Sequence, residues 1–448
     1  MERAIMENKL HGKLTWSDFN PVDIRSNKKN DRIIGLTFPI SDKKLGLEPS
    51  VLSVLPDGDN VEYSCENRIF NDKDVKYYVC SVYISGYEEF IKWSLQHDNK
   101  KIIVGGYHPT TFPNDFIKYA AKIVQGPCDD FYATIEQVGQ IVSGIVTHKH
   151  IPRRDLYDLR INQQIIPDKM PDDMVASINT SMGCANNPPC DFCASPIMCS
   201  KVMSRPIEII EKELYDIEHQ AIRFLDFLFI RDENFTMQPD WDIRLKLIHN
   251  IFPMTKLYLF ASANTLNEAK IKFMKSQNVY MLCLGLEDPT KQYKKNESLD
   301  SVVALLKKYK IMTYLSFIVN PLEIIGASAG KNYYKILMNR IEDLKPEMIC
   351  GNFLMPFPGT KLWDTYYTYV DIEDYKYYDS KTPFLIRNKT VREKMRFFMF
   401  FYQWQYYMSD FYNTKIRKFN IGDTLNRRFI ELKKEFDQLY EVYWDKRA

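Results

Sequence analysis

The sequence predicts an α/β protein built from a doubly wound α/β domain over residues 31–145 and a six-unit strand–helix barrel, closed or partial, over 173–387. A helical region follows from 388. Three observations predict it. Short runs rich in Val, Ile and Tyr recur along both segments, with apolar residues at helical spacing between them. A basic stretch with three prolines and little periodicity separates the two series at 146–172. The chain also has 448 residues, more than one hydrophobic core usually organises.

The elements follow in order. Residues 1–30 are polar and unpatterned, an N-terminal extension. Strand-like runs then stand at Ile33–Phe38, Val61–Ser64, Val75–Ile84, Ile102–Val104 and Ala121–Val124, each too short for a helix. Tyr87–Gln96 and Phe112–Ala120 carry helical spacing. In the second series the strands are Val175–Asn179, Phe224–Ile230, Leu257–Ala261, Val279–Leu284, Thr313–Val319 and Ile349–Leu354. Helical patterns at Ile207–His219, Leu266–Gln277, Leu299–Tyr309 and Tyr333–Leu344 lie between them. Six such repeats suit a barrel better than an open sheet, and chemistry in barrels gathers where strands end.

Composition narrows the functional classes. Lys and Arg number 60 against 58 Asp and Glu, a formal charge of +2, which offers no electrostatic reason for a nucleic-acid or anionic-membrane partner. No run approaches the roughly 18 uncharged apolar residues of a membrane span, and residues 1–30 lack the apolar segment of a secretion signal. The expected location is the cytoplasm. Phe397–Met408 (FFMFFYQWQYYM) is short and broken by Gln403 and Gln405, so it reads as a core or docking helix.

Nine cysteines in a large chain argue against a disulfide framework, and four of them fall within Cys184–Cys199. Cys184, Cys190 and Cys193 stand in INTSMGCANNPPCDFC, after the first strand of the barrel series and before its first helix. Thiolates suit zinc or iron-sulfur clusters, and spacing alone does not separate the two. A structural zinc site takes four closed ligands, commonly from two CxxC knuckles. Here the only CxxC is Cys190–Cys193, and Cys199 is the available fourth thiol.

A cysteine triad in this place, with aromatic Phe192 before its last member, resembles the radical S-adenosylmethionine (SAM) superfamily. The family spacing is CxxxCxxC, whereas this chain has five residues between its first two cysteines. The resemblance implies a 4Fe-4S cluster on Cys184, Cys190 and Cys193 whose open iron chelates SAM. It also implies a one-electron donor such as flavodoxin or ferredoxin, and a small-molecule or peptide substrate that loses a hydrogen atom to a 5′-deoxyadenosyl radical. The segment FIRDENF resembles the polar patch that reaches the SAM amino group, with Asp232, Glu233 and Asn234 as candidates; the same residues also suit an ordinary helix cap. LGLED resembles a G-[IL]-E segment, where Glu287 contacts SAM or substrate, or pairs with Lys294 or Lys295. Asn264 and Ser316 lie where the superfamily contacts ribose and methionine.

Two further segments resemble the subgroup that carries an N-terminal cobalamin-binding domain. PFPGT (Pro356–Thr360) follows the sixth strand. VGGYHP (Val104–Pro109) follows a strand of the first domain, where Gly105 and Gly106 permit close backbone approach to a corrin edge. His108 either faces that corrin or is a strand-end histidine bonded to backbone. SVYISGY also fits, whereas Gly126 stands where the family has G-E-x-E and the glutamates are gone. No DxHxxG motif is present, and Leu45–Leu47 is the only echo of the helix after strand one. Cobalamin is therefore either retained, making methyl transfer to carbon the natural outcome, or lost, favouring epimerisation, cyclisation or rearrangement. In the second case Cys350 or Cys283 is the candidate hydrogen-atom donor. A non-catalytic zinc or iron-sulfur module is the remaining class.

Overall fold

The computed structural model describes residues 31–39, 49–64, 69–157, 159, 174–221, 224–291, 293–325, 329–370 and 372–408. The N-terminal extension, Leu45–Leu47, most of the 146–172 connector and the chain beyond 408 lie outside the described residues.

The first domain holds β1 (Arg32–Phe38), β2 (Val61–Tyr63), β3 (Val75–Val82), α1 (Tyr87–Ser94), β4 (Ile102–Gly105), α2 (Tyr107–Thr111), β5 (Lys122–Gln125), α3 (Phe131–Ile135) and β6 (Ile141–Ser143). Its strands form one parallel sheet in the order β2-β1-β3-β4-β5-β6. Both faces are covered, which is why the strands read as unbroken apolar runs rather than alternating ones. Phe38, Tyr78, Phe90 and Trp93 fill one side; Ile33, Val79, Ile103 and Val124 fill the other. The order reverses between β1 and β3, and the crevice beyond the strand ends at such a switch point is where open α/β sheets bind ligands.

Two local expectations are corrected. The helix expected at Phe112–Ala120 starts earlier, at Tyr107, and gives way to a 3₁₀ turn over Pro113–Phe116. Pro113 lacks an N–H and disfavours helical geometry at Phe112, which ends α2. The sixth strand, β6, is three residues of IVS, too short to carry a period.

The second domain begins with β7 (Val175–Ile178). A two-residue strand β8 (Ser181–Met182) pairs antiparallel with β9 (Met203–Ser204), and between them runs the cysteine loop with α4 (Ser195–Met198). Then follow α5 (Ile207–Gln220), β10 (Phe227–Ile230), α6 (Trp241–Ile251), β11 (Lys256–Phe260), α7 (Glu268–Ser276), β12 (Val279–Glu287), α8 (Leu299–Lys308), β13 (Met312–Val319), α9 (Pro321–Ile325), α10 (Ala329–Leu344) and β14 (Met348–Phe353). Strands β7, β10, β11, β12, β13 and β14 lie side by side in chain order, all parallel. Among the described residues β14 and β7 do not pair, so the barrel is partial.

After α11 (Lys361–Tyr366), the aromatic helix α12 (Lys389–Met408) closes the outer side of the last strand. The backbone N–H of Ile349 donates to the Tyr407 hydroxyl at 3.0 Å, and that hydroxyl donates to Ile349 O at 2.9 Å. Gly351 N donates to the Gln403 amide at 3.4 Å. These contacts serve backbone groups that an uncovered edge strand would leave open. A Cβ at Gly351 would come within 2.4 Å of Met399 and 2.7 Å of Phe317, so close helix packing requires glycine there. The Phe397–Met408 run is thus a docking helix, and no helix among the described residues is long and apolar enough to cross a membrane.

A buried ionic strut joins the connector to the barrel. Arg154, 1% exposed in a 3₁₀ turn of the connector, donates at 2.6 Å both to Glu213 on α5 and to Ser177 O on β7. Arg205 pairs with the other Glu213 oxygen, donates at 2.7 Å to Asn179 O, and through its backbone N–H reaches Thr180 O at 3.0 Å. Glu213 therefore orients two guanidiniums that grip the chain immediately before the cysteine loop.

Candidate functional site

Gly183, with φ +85°, turns the chain into the cysteine loop. A Cβ there would lie 2.6 Å from Lys201 O, so only glycine lets the two sides of the loop close onto the β8–β9 pair. The loop base is fixed by buried polar groups. Asp232, fully buried, accepts from Thr180 N, Thr180 Oγ1 and Ser181 Oγ, each at 2.6 Å. Burial raises its carboxyl above the usual value against those bonds. Gln238 donates to Ser181 Oγ at 2.9 Å, and Arg244 donates to Thr180 O at 2.7 Å. Asp232, expected among the SAM-facing residues, is instead the anchor of the loop, because its acceptor capacity is consumed by these donors.

Cys184, Cys190 and Cys193 share the loop as free, half-buried thiols in mutual electrostatic contact. A backbone bond from Cys193 N to Cys190 O at 3.0 Å makes the CxxC turn. Burial pushes the Cys190 and Cys193 thiols up. Among the described residues no three His, Cys, Asp or Glu side chains are drawn together as a metal-binding group. Cys199 is buried, its thiol pushed up to about 11 by that burial, and the charge beside it is Glu233 rather than another thiol. Three loop thiols in mutual electrostatic contact, with Glu233 rather than a thiol as the charge beside Cys199, would suit a cluster with one open iron more readily than a closed four-ligand zinc site.

Lys295, named in the sequence only as a partner for Glu287, also reaches the cysteine loop. Its ammonium, 16% exposed, pairs with Glu287, hydrogen-bonds the Cys190 sulfur and lies 5.5 Å from the Phe192 ring. Glu287 sits at φ +59°, and its carboxylate occupies the space where a Cβ on Gly285 would stand, so Gly285 makes room for the pair. Lys295 is the alternative partner foreseen for Glu287. Were Cys190 to hold a cluster, this cation would be the kind of outer contact that tunes an iron-sulfur centre.

The other expected residues divide. Asn234, 3% exposed, donates to Ser262 Oγ at 2.6 Å, and its Oδ1 accepts from Ser262 N and Thr236 Oγ1, both at 3.3 Å, so it braces the ends of β10 and β11. Glu233 is exposed and accepts from Ser195 at the start of α4 at 3.0 Å. Asn264 is exposed in the turn after β11. Ser316 and Cys350 are half-buried register neighbours on β13 and β14. Cys283, 3% exposed on β12, has its thiol pushed up by burial. His108 does not face a cofactor cavity: fully buried, it contacts Asp115 at 2.9 Å and packs among Tyr87, Phe112, Phe116 and Tyr375. Burial lowers its pKa, and Asp115 opposes that shift. Its place two residues beyond Gly106, inside α2, turns the ring into this aromatic packing.

A cavity of about 580 Å³ opens over the C-terminal ends of β3, β4 and β5 of the first domain. Ser50, Ser81, Gly105, Gly106, Gly126 and Phe131 belong to its first-domain wall, while Met182 and Met198 from the cysteine loop and Phe357 from PFPGT face them. Gly106, at φ +100°, is backed by Ser81 Oγ at 3.1 Å from a notional Cβ, which shows why glycine is needed at that position. Tyr107 bridges the walls: its hydroxyl donates to Pro358 O at 3.0 Å, its ring meets Phe357 edge-on at 5.6 Å, and it stands in electrostatic contact with Cys193. Gly359 in turn packs on Ile197 of α4, and Leu362 N donates to Asp191 O at 3.3 Å. PFPGT is therefore a three-way joint between the glycine segment, the cavity and the cysteine loop.

No protein-family model and no curated protein matches the sequence. Among solved structures, the radical S-adenosylmethionine methyltransferase TsrM from Kitasatospora setae, with cobalamin and a 4Fe-4S cluster bound, aligns over 76% of this chain and 78% of its own, at 15% identity and a TM-score of 0.53. The same enzyme with tryptophan substrate and the SAM analogue aza-SAM aligns over 76% of each chain, at 15% identity and a TM-score of 0.50. The chain therefore has the fold of a radical SAM enzyme with a cobalamin-binding-type domain ahead of its partial barrel.

Proposed function

We propose that this protein is a cobalamin-dependent radical SAM enzyme that transfers a methyl group to carbon of a small-molecule substrate. The observation that carries the reading is the cavity over the ends of β3, β4 and β5, walled on one side by Gly105 and Gly106 and on the other by Met182 and Met198 of the cysteine loop. A space shared in this way suits a corrin held within reach of a cluster-bound SAM, and the TsrM structures hold cobalamin, a 4Fe-4S cluster and a SAM analogue.

When bound, a four-iron cluster supplies the electron that splits the sulfonium bond, and cobalamin supplies a transferable methyl group. The protein's own residues hold and shield. Cys184, Cys190 and Cys193 are the thiolate ligands, Lys295 places a positive charge against Cys190, and Asp232 with Gln238 and Arg244 fixes the loop that carries them. Tyr107 and Phe357 seal the cavity where the domains meet. A flavodoxin- or ferredoxin-type protein is the electron donor.

Titration of the anaerobic protein with hydroxocobalamin is expected to change the corrin spectrum and to saturate near one corrin per chain. Cys350, half-buried on the barrel wall, favours a second reading, hydrogen-atom donation to a substrate radical as in an epimerase. An unchanged corrin spectrum together with intact 5′-deoxyadenosine release selects that second reading.

A further inference from the structure

The inner wall of the barrel carries a positive charge with no counter-ion among the described residues. Gly351 and Phe317 face α12, so their chain neighbours Cys350, Asn352 and Ser316 point to the opposite, concave side. Tyr314 lies two residues before Ser316 and shares that face, and the parallel register extends it through Cys283 to Phe260. Phe260 is 37% exposed there and meets Phe229 edge-on at 5.3 Å.

Onto this wall reaches Lys381, from a turn capped by Asp379, whose side chain accepts from Lys381 N at 2.8 Å and Thr382 N at 2.7 Å. The ammonium passes over the open edge of β14. It donates to Gly351 O at 2.8 Å and Asn352 Oδ1 at 2.9 Å, while its third contact is the Cys350 sulfur at 3.3 Å. Among the described residues no carboxylate pairs with it. All three of its contacts are neutral, and a thiol sulfur is a weak acceptor. The Asn352 amide is under-used as well: its Nδ2 reaches Ser316 Oγ only at 3.4 Å and the Cys350 sulfur at 3.8 Å, longer than good hydrogen bonds. One ammonium, an amide N–H₂ and a hydroxyl thus converge on this wall.

We propose that Lys381, Asn352 and Ser316 form a carboxylate-binding subsite for a small carboxylic acid. A single cation with two neutral donors matches one carboxylate. The proposal rests on reading the concave side of the barrel as the reaction chamber, and names the substrate class of that chamber.

The test is anaerobic calorimetry on the reconstituted full-length protein, with 3-phenylpropionate and its uncharged analogue 3-phenylpropionamide as probes. The acid is expected to bind roughly tenfold to hundredfold more tightly than the amide, the range for a hydrogen bond to a charged group. K381M is expected to erase that preference and K381R, which keeps the charge, to retain it. Equal binding of acid and amide, no binding of either, or an undiminished preference in K381M overturns the subsite. Failure of the functional reading looks different: wild-type protein would then lack iron and release no 5′-deoxyadenosine, whatever the probes do.

Discussion

Substitution of Cys193 with Ala is expected to abolish dithionite-dependent release of 5′-deoxyadenosine, a loss of more than about 10²-fold, while Cys199→Ala keeps it within a few-fold. A cluster iron deprived of its thiolate has no substitute ligand in the loop, because the one remaining thiol, Cys199, is buried toward Glu233. A second readout is iron content, which should fall in the Cys193 variant and hold in the Cys199 variant. Equal loss in both would make Cys199 a ligand and restore a four-thiol site. The two substitutions are sterically similar, so the contrast reads ligation rather than packing.

Glu213→Ala is expected to destabilise the protein by about 3–5 kcal/mol, the range for breaking a buried ion pair from one side. Arg154 and Arg205 would remain in the interior without the carboxylate that both now share. Burial alone pushes the Glu213 carboxyl up, and the two guanidiniums outweigh it, leaving it below the ordinary value of 4.5. The sign follows from linkage: a depressed carboxylate contributes stability above its unfolded value, and that contribution is lost as pH falls through the folded value. Denaturant unfolding of wild type and Glu213→Gln should therefore differ most at neutral pH and converge below about pH 4.5. Since both arginines also hold the chain at Ser177 and Asn179, the variant should lose iron before it unfolds globally.

The framework was legible in the chain because parallel strands buried on both faces leave continuous apolar runs. Each of the eleven expected strands has a counterpart in the fold, whereas β6 was missed because three residues carry no period. The misplacement of α2 came from weighing the apolar spacing of Phe112–Ala120 above the stop signal of Pro113. At the site, the cysteine run and the paired glycines could be read directly, since both are local. Which member of Asp232, Glu233 and Asn234 turns inward could not, because it depends on how the end of β10 meets Thr180 and Ser181 across the sheet. Lys295 was legible only as a partner for Glu287; its contact with Cys190, like that of Lys381 with Cys350, was not, for the same reason. Each reaches its cysteine from a separate part of the chain, and an isolated lysine has no motif.

His108 shows a related limit. Its position beside two glycines resembles a cofactor contact, yet the helix that begins at Tyr107 carries its ring away from the cavity and leaves Tyr107 facing it. The tyrosine, adjacent in the same segment, is one of the residues that join the two domains across the cavity.

The most direct measurement is the metal and sulfide content of the anaerobically reconstituted chain, together with the spectrum of its reduced form before and after SAM is added. The account predicts about four irons and four sulfides per chain, and a changed electron paramagnetic signal when SAM reaches the open iron. Tightly bound zinc without sulfide, or a four-iron centre whose signal ignores SAM, would contradict it.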